Sequence, residues 1–577
     1  MNRNEFKFWV FLLLLNSFLF LPGYLINSDT SHFFPFGGFL HGSIYERCKT
    51  IFVRPNLDVF RISVDLFMLV FACYFLRSRI RIRLFGWITG LYYVVILLFL
   101  TYFNAFEKLY RIPPILYNDL SLLKLGFFNI GDQSVLKSTV LMLLAGAVLF
   151  GLSWAVKQLI GYTRDLQLGS FSKSVLILLG IFMIISTLKS GFTPEPVQNF
   201  QETFALMATN LKSSADARKS LKNFNVDRIN KKLDYKSIAL KAKPDIYLLF
   251  VESYGKLLFV NEQHRDPFIA CLDSCSARLE RKGWNMVSDF SISPVSGGES
   301  WISYTSVMFG YNIRNQGTFN SMLKDPSMAR YDNLFRVLGE NGYKTYRLNA
   351  MPQNSNMEVP WDTYSSFYGI DQWINFNDLK YTGRLYGFGP SPPDQYSINF
   401  AAGFMKQNSP GPHALFFITQ TTHHPFMSPN VVENDWRSLN SDHDSDVFHA
   451  SVFLKKPVWE NYLKAICYDI SALSQFIALN PDTTAVFILI GDHQPPFLAG
   501  KLDGFETPVH IICRNHKFTD AFLKYGFQAG LKPDVKTSPI RHEGIYSMLL
   551  REFVEIFGTE KAILPEYRPY GLTTGTL

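Results

Sequence analysis

Side chains able to bind a metal occur in three short motifs of the sequence. Glu252 directly follows an apolar run, and the pair Asp492-His493 follows another. Ser300 comes directly after a turn that contains two glycines. A carboxylate, an Asp-His pair and a hydroxyl together suit a borderline or hard divalent cation, and these motifs contain no cysteine for a thiolate site. We therefore expect one divalent-metal site if the fold brings the three motifs together.

Ser300 has the sequence context of a nucleophile. It begins the helical pattern Ser300–Phe309, and a helix start favours an anion through its free amides and its dipole. A serine hydroxyl needs activation, and coordination to a divalent metal lowers the pKa of a bound hydroxyl. The rival hydroxyls in the same helical pattern are Ser303, Thr305 and Ser306, which lack the glycine turn.

His423 is the candidate donor to the substrate. It comes shortly after a third apolar run, and an imidazole there would protonate a leaving group or hold an equatorial oxygen. His424, its neighbour, is the alternative member of the pair. His510 and His542 could approach the same site, although a hydrogen-bonded histidine in the core is the commoner situation.

From residue 244 onward, apolar runs alternate with helical patterns. The runs indicate buried strands at Asp245–Val251, Tyr343–Leu348, Ala414–Thr419, Ala485–Ile490 and Val509–Cys513. The helical patterns lie at Ser300–Phe309, Tyr331–Asn341, Glu460–Leu479 and Glu543–Phe557. This alternation predicts an α/β domain with a mainly parallel sheet, in which a site lies at the carboxyl ends of the strands.

The first third of the chain contains five apolar stretches, each near the length of about 20 residues that a membrane-spanning helix needs. They are Phe8–Ile26, Val59–Leu76, Phe85–Phe103, Thr139–Val156 and Ser174–Leu188. The first is not followed by a small-residue cleavage pattern, so we interpret it as a retained anchor. The sequence therefore predicts five N-terminal transmembrane helices. Asp65 and Arg61 lie one turn apart in the second stretch, either as an intrahelical pair or as a functional polar site.

Basic residues are denser before the first stretch, between the second and third, and between the fourth and fifth. These residues are Arg3, Lys7, Arg77, Arg79, Arg81, Arg83, Lys157, Arg164 and Lys173. The positive-inside rule therefore predicts a cytoplasmic N-terminus and places everything after residue 190 outside.

Three units follow from these patterns: a transmembrane domain at 1–190, a polar juxtamembrane helical stem at 191–243, and an extracytoplasmic catalytic domain at 244–577. The net charge of +8 does not indicate nucleic-acid binding, because the basic residues are spread along the chain. Six cysteines in 577 residues do not form a disulfide scaffold. Cys271 and Cys275 are four residues apart, and a bridge between them stays open.

The order of these motifs resembles the alkaline phosphatase superfamily. The motifs are strand-end Glu252, hydroxyl Ser300, His423 followed by x-Pro, and the Gly-Asp-His of residues 491–493. The helical pattern Asn461–Phe476 is similar to the sulfatase-like branch, which includes lipoteichoic acid synthases, osmoregulated-glucan phosphoglycerol transferases and lipid A phosphoethanolamine transferases. Those proteins have five N-terminal membrane spans and an extracytoplasmic α/β/α catalytic domain.

The resemblance implies a role for each motif. Glu252, Ser300, Asp492 and His493 would hold one Mn or Zn ion, Ser300 would become covalently modified, and His423 would contact the substrate phosphate. The implied protein is a multi-pass enzyme of the bacterial plasma membrane. It would move phosphoglycerol or phosphoethanolamine from a membrane phospholipid donor to an envelope glycan or glycolipid acceptor. The alternatives are a phosphate- or sulfate-ester hydrolase with the same site, and a non-enzymatic membrane receptor or transporter.

The sequence departs from its relatives in three places. No Cys-x-Pro-x-Arg surrounds Ser300, so a formylglycine sulfatase is not expected. The cysteine pairs typical of lipid A phosphoethanolamine transferases are not evident near Ser300. The Trp-x-Arg pair that lipoteichoic acid synthases use for glycerophosphate is missing, and Arg347 could supply that charge or have a structural role.

Overall fold

A computed structural model describes most of the chain. The described residues are 3–27, 58–76, 82–110, 112–120, 135–163, 166–190, 200–201, 203–221, 226–233, 238–352, 361–387, 389–441, 458–500, 503–535 and 539–572. Four of the arginines used above for the orientation, Arg77, Arg79, Arg81 and Arg164, lie outside these residues.

The chain divides into two compact units. One consists of Met1–Lys108 and Ile112–Asp216, and the other consists of Leu109–Arg111 and Ala217–Leu577. The domain limits expected at residues 190 and 243 stay predictions.

The first unit is helical. Its helices are α1 (Arg3–Ile26), α2 (Val64–Leu76), α3 (Ile82–Tyr110), α4 (Val135–Thr163), α5 (Ser170–Ser190) and α6 (Thr203–Leu221). The two short strands β1 (Ile62–Ser63) and β2 (Phe200–Gln201) pair in parallel. Within the described residues, three helical segments are long and apolar enough to cross a membrane, namely Arg3–Ile26, Arg83–Tyr110 and Met142–Thr163. The apolar helices Val64–Leu76 and Ser170–Ile181 are shorter, so five spans stay a prediction.

Asp65 caps a helix. Its Oδ2 accepts a hydrogen bond of 2.7 Å from the amide of Thr203, and its Oδ1 accepts one of 3.2 Å from the amide of Phe204. A carboxylate at a helix N-terminus satisfies free amides and complements the helix dipole. Nε of Arg61 lies 3.9 Å from Oδ2 of Asp58. Asp65 therefore has a structural role at the start of α6.

The second unit is built on a nine-stranded sheet. Its strands are β3 (Ile246–Val251), β4 (Asn285–Ile292), β5 (Lys344–Asn349), β6 (Gln372–Asn375), β7 (His413–Ile418), β8 (Val486–Gly491), β9 (Glu506–Cys513), β10 (Gln528–Ala529) and β11 (Ile540–Arg541). The order across the sheet is β10-β4-β9-β8-β3-β7-β5-β6, and β11 pairs with β4.

The sheet is mixed, with five parallel and three antiparallel pairings among the described strands. Neighbours among β8, β3, β7, β5 and β6 run parallel, whereas β8–β9, β9–β4 and β4–β10 are antiparallel. The apolar run Val509–Cys513 thus belongs to an antiparallel strand. Its continuous apolar character indicates burial on both faces, and that character does not distinguish a parallel strand from an antiparallel one.

Helices cover both faces of the sheet. They are α7 (Val226–Leu233), α8 (Leu257–Val260), α9 (Arg265–Glu280), α10 (Ser300–Phe309), α11 (Gln316–Lys324), α12 (Leu334–Glu340), α13 (Trp361–Tyr368), α14 (Asp394–Asn408), α15 (Trp459–Leu479), α16 (His516–Asp520) and α17 (His542–Phe557). Side chains alternate along β3, so Leu248 and Phe250 join the core under α10 and α17. Tyr247 and Leu249 join the core under α9 and α15. The second unit is therefore a three-layer α/β/α arrangement.

Cys271 and Cys275 are both free thiols on α9. The sulfur of Cys271 lies 3.8 Å from the carbonyl oxygen of Cys467, and that of Cys275 lies 3.7 Å from the hydroxyl of Ser471. Both thiols therefore lie against α15, and no disulfide joins them to each other.

Candidate active site

Two neighbouring strands bring the acidic motifs together. Strands β3 and β8 are parallel, and Val251 pairs with Gly491 at their last residues. Glu252 follows the first of these residues and Asp492 follows the second, so the two carboxyl groups leave the sheet at the same level of its carboxyl edge. This is the edge at which sites form in open α/β sheets.

Backbone amides orient the carboxyl group of Asp492. Its Oδ1 accepts hydrogen bonds from the amides of Ser253, at 2.8 Å, and His493, at 2.7 Å. Its Oδ2 is buried, accepts no hydrogen bond and lies 3.3 Å from Nε2 of His493. One oxygen is therefore held by the protein, while the other remains available as a ligand.

Ser300 is the first residue of α10, as the glycine turn predicted. Its hydroxyl donates a 2.9 Å hydrogen bond to Oε2 of Glu252 and lies 3.2 Å from Nε2 of His493. The preceding Glu299 is in the left-handed conformation, with φ of 60°, and its side chain does not cap the helix. The turn therefore directs the hydroxyl at the two acidic motifs.

The position of the proton on His493 follows from its second nitrogen. Nδ1 lies 2.8 Å from the carbonyl oxygen of Gln494, an acceptor, so Nδ1 carries a hydrogen. Nε2 faces Glu252 Oε1 and Asp492 Oδ2, each at 3.3 Å. A hydrogen bond from Nδ1 to a carbonyl is the usual second partner of a metal-binding histidine.

The three ionisable groups shift one another strongly. Burial alone would raise the pKa of Glu252, but positive charge on His493 and then on His423 holds that pKa below its usual value. Burial, and then the charge of Glu252, raises the pKa of Asp492. Burial would lower the pKa of His493, but Asp492 and then Glu252 raise it to about 9. Two buried carboxyl groups around one imidazole are an environment that a cation stabilises.

The residues fit a divalent cation. Among the described residues, one group of His, Cys, Asp or Glu side chains could hold a metal ion, and it consists of Glu252, Asp492 and His493. Their ligand atoms all lie within 4.8 Å of one another. The hydroxyl of Ser300 lies within hydrogen-bond distance of Glu252 and His493. Oδ2 of Asp492 accepts no hydrogen bond and is therefore available to bind a cation. Two carboxylates, one imidazole and one hydroxyl are a ligand set that suits a borderline or hard divalent cation.

His423 and His424 occupy different environments. Positive charge on His423 helps to lower the pKa of Glu252. Nδ1 of His423 lies 3.1 Å from the carbonyl oxygen of His424. The ring of His424 is buried, with the rings of Phe426 and Phe497 at 5.6 Å and 5.1 Å. Of the two histidines, His423 is thus the one whose charge reaches the site. Its catalytic role stays a prediction.

The rival hydroxyls on α10 point elsewhere. Thr305 is hydrogen-bonded to the hydroxyl of Tyr368 at 2.9 Å, and Ser306 accepts from the amide of Ile313 at 3.4 Å. Ser303 is fully buried, and its hydroxyl has no hydrogen-bond partner. Ser300 is therefore the α10 hydroxyl that lies against the acidic motifs.

His510 and His542 belong to the core. His510 is hydrogen-bonded through Nδ1 to Ser288 at 2.6 Å and through Nε2 to Tyr254 at 3.1 Å. Nδ1 of His542 is hydrogen-bonded to Ser291 at 2.7 Å. Burial lowers the pKa of both rings to about 3, so both are neutral structural groups.

Two supporting residues were not singled out from the sequence. The hydroxyl of Thr419 accepts a 3.0 Å hydrogen bond from the amide of Glu252, and the hydroxyl of Tyr462 donates a 2.8 Å bond to the carbonyl of Ser253. Thr419 directly follows β7 at the same edge, a position that could have drawn attention. Tyr462 lies in the helical pattern Asn461–Phe476, but nothing in that pattern marks its hydroxyl as a supporting group.

Residues 295–512 match a protein-family model described as Sulfatase. This segment of the chain is similar to sulfatase-family domains. The match includes Ser300, His423 and the Asp492-His493 pair, and it agrees with the predicted resemblance to the sulfatase-like branch of the alkaline phosphatase superfamily. The similarity supports an enzymatic function for this part of the chain. None of the curated proteins matches the sequence significantly.

Several solved structures are similar to this chain. The lipoteichoic acid synthase LtaP from Listeria monocytogenes is 16% identical, with a TM-score of 0.36, over 60% of this chain and 82% of its own. The periplasmic domain of EptC from Escherichia coli, in complex with Zn, is 14% identical, with a TM-score of 0.33, over 55% and 83%. The phosphoglycerol transferase GacH from Streptococcus pyogenes, in complex with sn-glycerol-1-phosphate, is 14% identical, with a TM-score of 0.35, over 58% and 80%. Similarities this low carry no conclusion about the substrate.

Proposed function

We propose that the chain is a metal-dependent transferase that moves a phospho-alcohol group from a membrane phospholipid to an envelope glycan or glycolipid. The group would be phosphoglycerol or phosphoethanolamine. The observation that carries the proposal is the Ser300 hydroxyl, which stands at a helix start, 2.9 Å from a carboxylate oxygen of Glu252 and 3.2 Å from Nε2 of His493. A hydroxyl in this position is a nucleophile for an anionic tetrahedral ester.

Four residues would hold one divalent ion, Mn or Zn: Glu252, Ser300, Asp492 and His493. When bound, the ion supplies positive charge that lowers the pKa of the hydroxyl and neutralises charge on the ester. The first amides of α10 add a second positive region at the same point. These contributions favour attack by Ser300 at a phosphorus atom.

The reaction would proceed in two displacements. In the first, the Ser300 oxygen bonds to phosphorus, its proton passes to Glu252, and the bond from phosphorus to the diacylglycerol oxygen breaks. The departing oxygen takes a proton from His423. In the second, an acceptor hydroxyl gives its proton to His423 and bonds to phosphorus. The bond to Ser300 then breaks, and Ser300 recovers its proton from Glu252, so the enzyme returns to its starting state.

The apolar helices of the first unit support a lipid donor. Three of them are long and apolar enough to cross a bilayer. An enzyme anchored in a membrane meets phospholipids at high local concentration, which favours a phospholipid over a soluble ester as the donor. Water in place of the acceptor hydroxyl would make the same site a hydrolase of phosphate or sulfate esters.

The nucleophile is tested by a pair of variants on one helix. Full-length protein in detergent is given phosphatidylglycerol or phosphatidylethanolamine, and release of diacylglycerol is measured. Ser300→Ala should lower kcat by about a thousandfold or more, as loss of a nucleophile does. Ser303→Ala, whose hydroxyl has no partner, is the matched control and should keep normal activity. Activity that survives in Ser300→Ala and is lost in Ser303→Ala would overturn the assignment.

Transfer and hydrolysis are separated by the products. Mass spectrometry of protein incubated with donor alone should find a phospho-alcohol adduct on the peptide that contains Ser300. An added glycan or glycolipid acceptor should discharge that adduct and carry the group away. Release of the free phospho-alcohol at the same rate with and without acceptor would instead identify a hydrolase.

A further inference from the structure

Two buried aspartates lie beside the segment that carries His423. Asp394 is the first residue of α14, Asp469 lies in the middle of α15, and neither side chain has any exposed surface. The carboxyl groups of Asp394 and Asp469 interact electrostatically with each other. The other main interactions of the two carboxyl groups are with hydrogen-bond donors of residues 419–421. The pair is separate from the four residues proposed to bind a metal.

Asp394 holds two backbone amides of that segment. The amide of Gln420 lies 2.9 Å from Oδ1 and 3.0 Å from Oδ2 of Asp394, and the amide of Thr421 lies 2.7 Å from Oδ2. Hydrogen bonds from amides stabilise a carboxylate in its ionised form. Asp394 is therefore the partner that carries the negative charge.

Asp469 has no hydrogen bond to either of its oxygens, although both are fully buried. Its neighbours are the Asp394 carboxylate and the hydroxyl of Thr419. Two ionised carboxylates cannot hydrogen-bond to each other, and burying both charges together is costly. A proton on Asp469 would remove the second charge and supply the missing donor, because the resulting O–H can donate to Asp394.

The segment held by Asp394 connects to the site at both ends. The carbonyl oxygen of Gln420 accepts a 3.0 Å hydrogen bond from the amide of His423, which closes the turn that presents the imidazole. At the other end, the hydroxyl of Thr419 accepts from the amide of Glu252 at 3.0 Å. A shift of this segment would therefore move His423 relative to Glu252.

We propose that Asp469 is a positioning residue that keeps one buried proton and, through a hydrogen bond to Asp394, fixes the segment from Gln420 to His423 for the reaction at Ser300. The inference rests on the proposed function of Ser300 and His423. Asp469 itself touches neither the nucleophile nor a proposed metal ligand.

The titratable groups around the pair are phenols. Tyr468 on α15 faces both carboxyl groups, and Tyr386 and Tyr381 face Tyr468. Burial, followed by the charges of Asp394 and Asp469, raises the pKa of Tyr468 above its ordinary value. Tyr468 therefore stays neutral around neutral pH, so a change in the charge of the two aspartates in that range reports the proton that they share.

Two substitutions of Asp469 separate a proton donor from a charge. Asp469→Asn keeps a neutral donor, so kcat should stay within about twofold of wild type. Asp469→Leu removes the donor and should lower kcat by about tenfold or more, with metal content unchanged. The wild-type activity should fall at alkaline pH as the proton leaves, and Asp469→Asn should lack this fall. An asparagine variant as weak as the leucine variant, or a leucine variant as active as wild type, would overturn the proposal.

Infrared spectroscopy tests the proton without an activity assay. In metal-loaded full-length protein with ¹³C-labelled aspartate, the difference spectrum of wild type minus Asp469→Asn should show the C=O band of a protonated carboxyl at neutral pH. This measurement also decides the matter if the leucine variant does not fold. Absence of the band in wild type would overturn the proposal.

The variants of Ser300 and Asp469 separate the two proposals. An active Ser300→Ala variant would refute the proposed function and leave the band to be interpreted by itself. An inactive Ser300→Ala together with a fully active Asp469→Leu would refute the positioning role alone.

Discussion

At the scale of single residues, burial assigns different roles to histidines that look alike in the sequence. His493 is buried beside two carboxyl groups, which raise its pKa to about 9. His510 is buried beside a serine and a tyrosine, and burial lowers its pKa to about 3. The difference lies in the neighbours, because an adjacent negative charge offsets the cost of burying an imidazolium.

The metal site makes a first prediction. Glu252→Gln keeps the size of the side chain but removes one negative charge, so the bound metal and the activity should fall together. The readout besides activity is stability, since metal at 100 times its Kd should raise the free energy of unfolding of wild type by about 2.7 kcal/mol. At the same metal concentration, Glu252→Gln should gain much less.

Chelation and a control variant complete this experiment. A chelator should abolish activity, and Mn or Zn should restore it. Glu460→Gln changes an exposed carboxyl and should bind metal as wild type does. Equal stabilisation of wild type and Glu252→Gln by metal would contradict the assignment of Glu252 as a ligand.

The two core histidines make a second prediction. Their pKa values are depressed in the folded state, from the ordinary 6.5 to about 3. Each therefore contributes stability that is present above pH 6.5 and is lost as the pH falls toward 3. The free energy of unfolding should decrease by up to about 1.4 kcal/mol per pH unit for each histidine across that window. Denaturant titrations of the full-length protein at a series of pH values measure this slope.

A variant pair isolates the contribution of one ring. His542→Asn should reduce the slope by about one proton, because it removes one group that binds a proton only when unfolded. His516→Asn changes an exposed histidine and should leave the slope unchanged. An identical slope in wild type and His542→Asn would show that the ring does not resist protonation in the folded state.

At the scale of elements, the site depends on a close approach between two strand ends. A Cβ atom on Gly491, the last residue of β8, would lie 1.9 Å from the carbonyl oxygen of Tyr254. A Cβ on Gly255 would lie 2.0 Å from Oε1 of Gln494. The turns after β3 and β8 therefore pack against each other through glycines, and this contact sets the distance between Glu252 and Asp492.

This contact makes a third prediction. Gly491→Ala should push the two turns apart, lower the free energy of unfolding by about 1 to 3 kcal/mol, and reduce metal binding because Asp492 moves. Gly339→Ala is the matched control, since nothing lies near its added Cβ and alanine favours the helix α12. Denaturation curves and metal content measure both effects. Normal metal binding by Gly491→Ala would show that the turns tolerate separation.

At the scale of the whole molecule, the apolar helices predict a membrane location for the protein. Within the described residues, α1 and most of α3 and α4 have the length and hydropathy of membrane spans. The distribution of Lys and Arg predicts that the N-terminus is cytoplasmic and that everything after residue 190 lies outside.

The orientation makes a fourth prediction. A reporter protein that fluoresces only when it folds in the cytoplasm should be dark when fused to the C-terminus of the full chain. Fused to a chain truncated between the second and third apolar stretches, it should fluoresce. Fluorescence of the full-length fusion would contradict the orientation and, with it, the proposal of an extracytoplasmic reaction.

The chemistry of the site was predictable from the sequence because strand-end motifs are local. Glu252, Ser300 and the Asp492-His493 pair each stand out next to an apolar run or a glycine turn, and the helix at Ser300–Phe309 has the predicted bounds. The types of these residues already predict a divalent cation and an activated hydroxyl. An apolar first third and a more polar remainder are equally evident in the hydropathy.

Long-range pairing decided the rest. Val251 and Gly491 are 240 residues apart in the sequence, and only the register of β3 with β8 places the residues that follow them side by side. The antiparallel strands β4 and β9 and the contact between Asp394 and Asp469 have the same origin. A short apolar run records that a strand is buried, but its neighbours and direction depend on contacts with distant segments that form only when the chain folds.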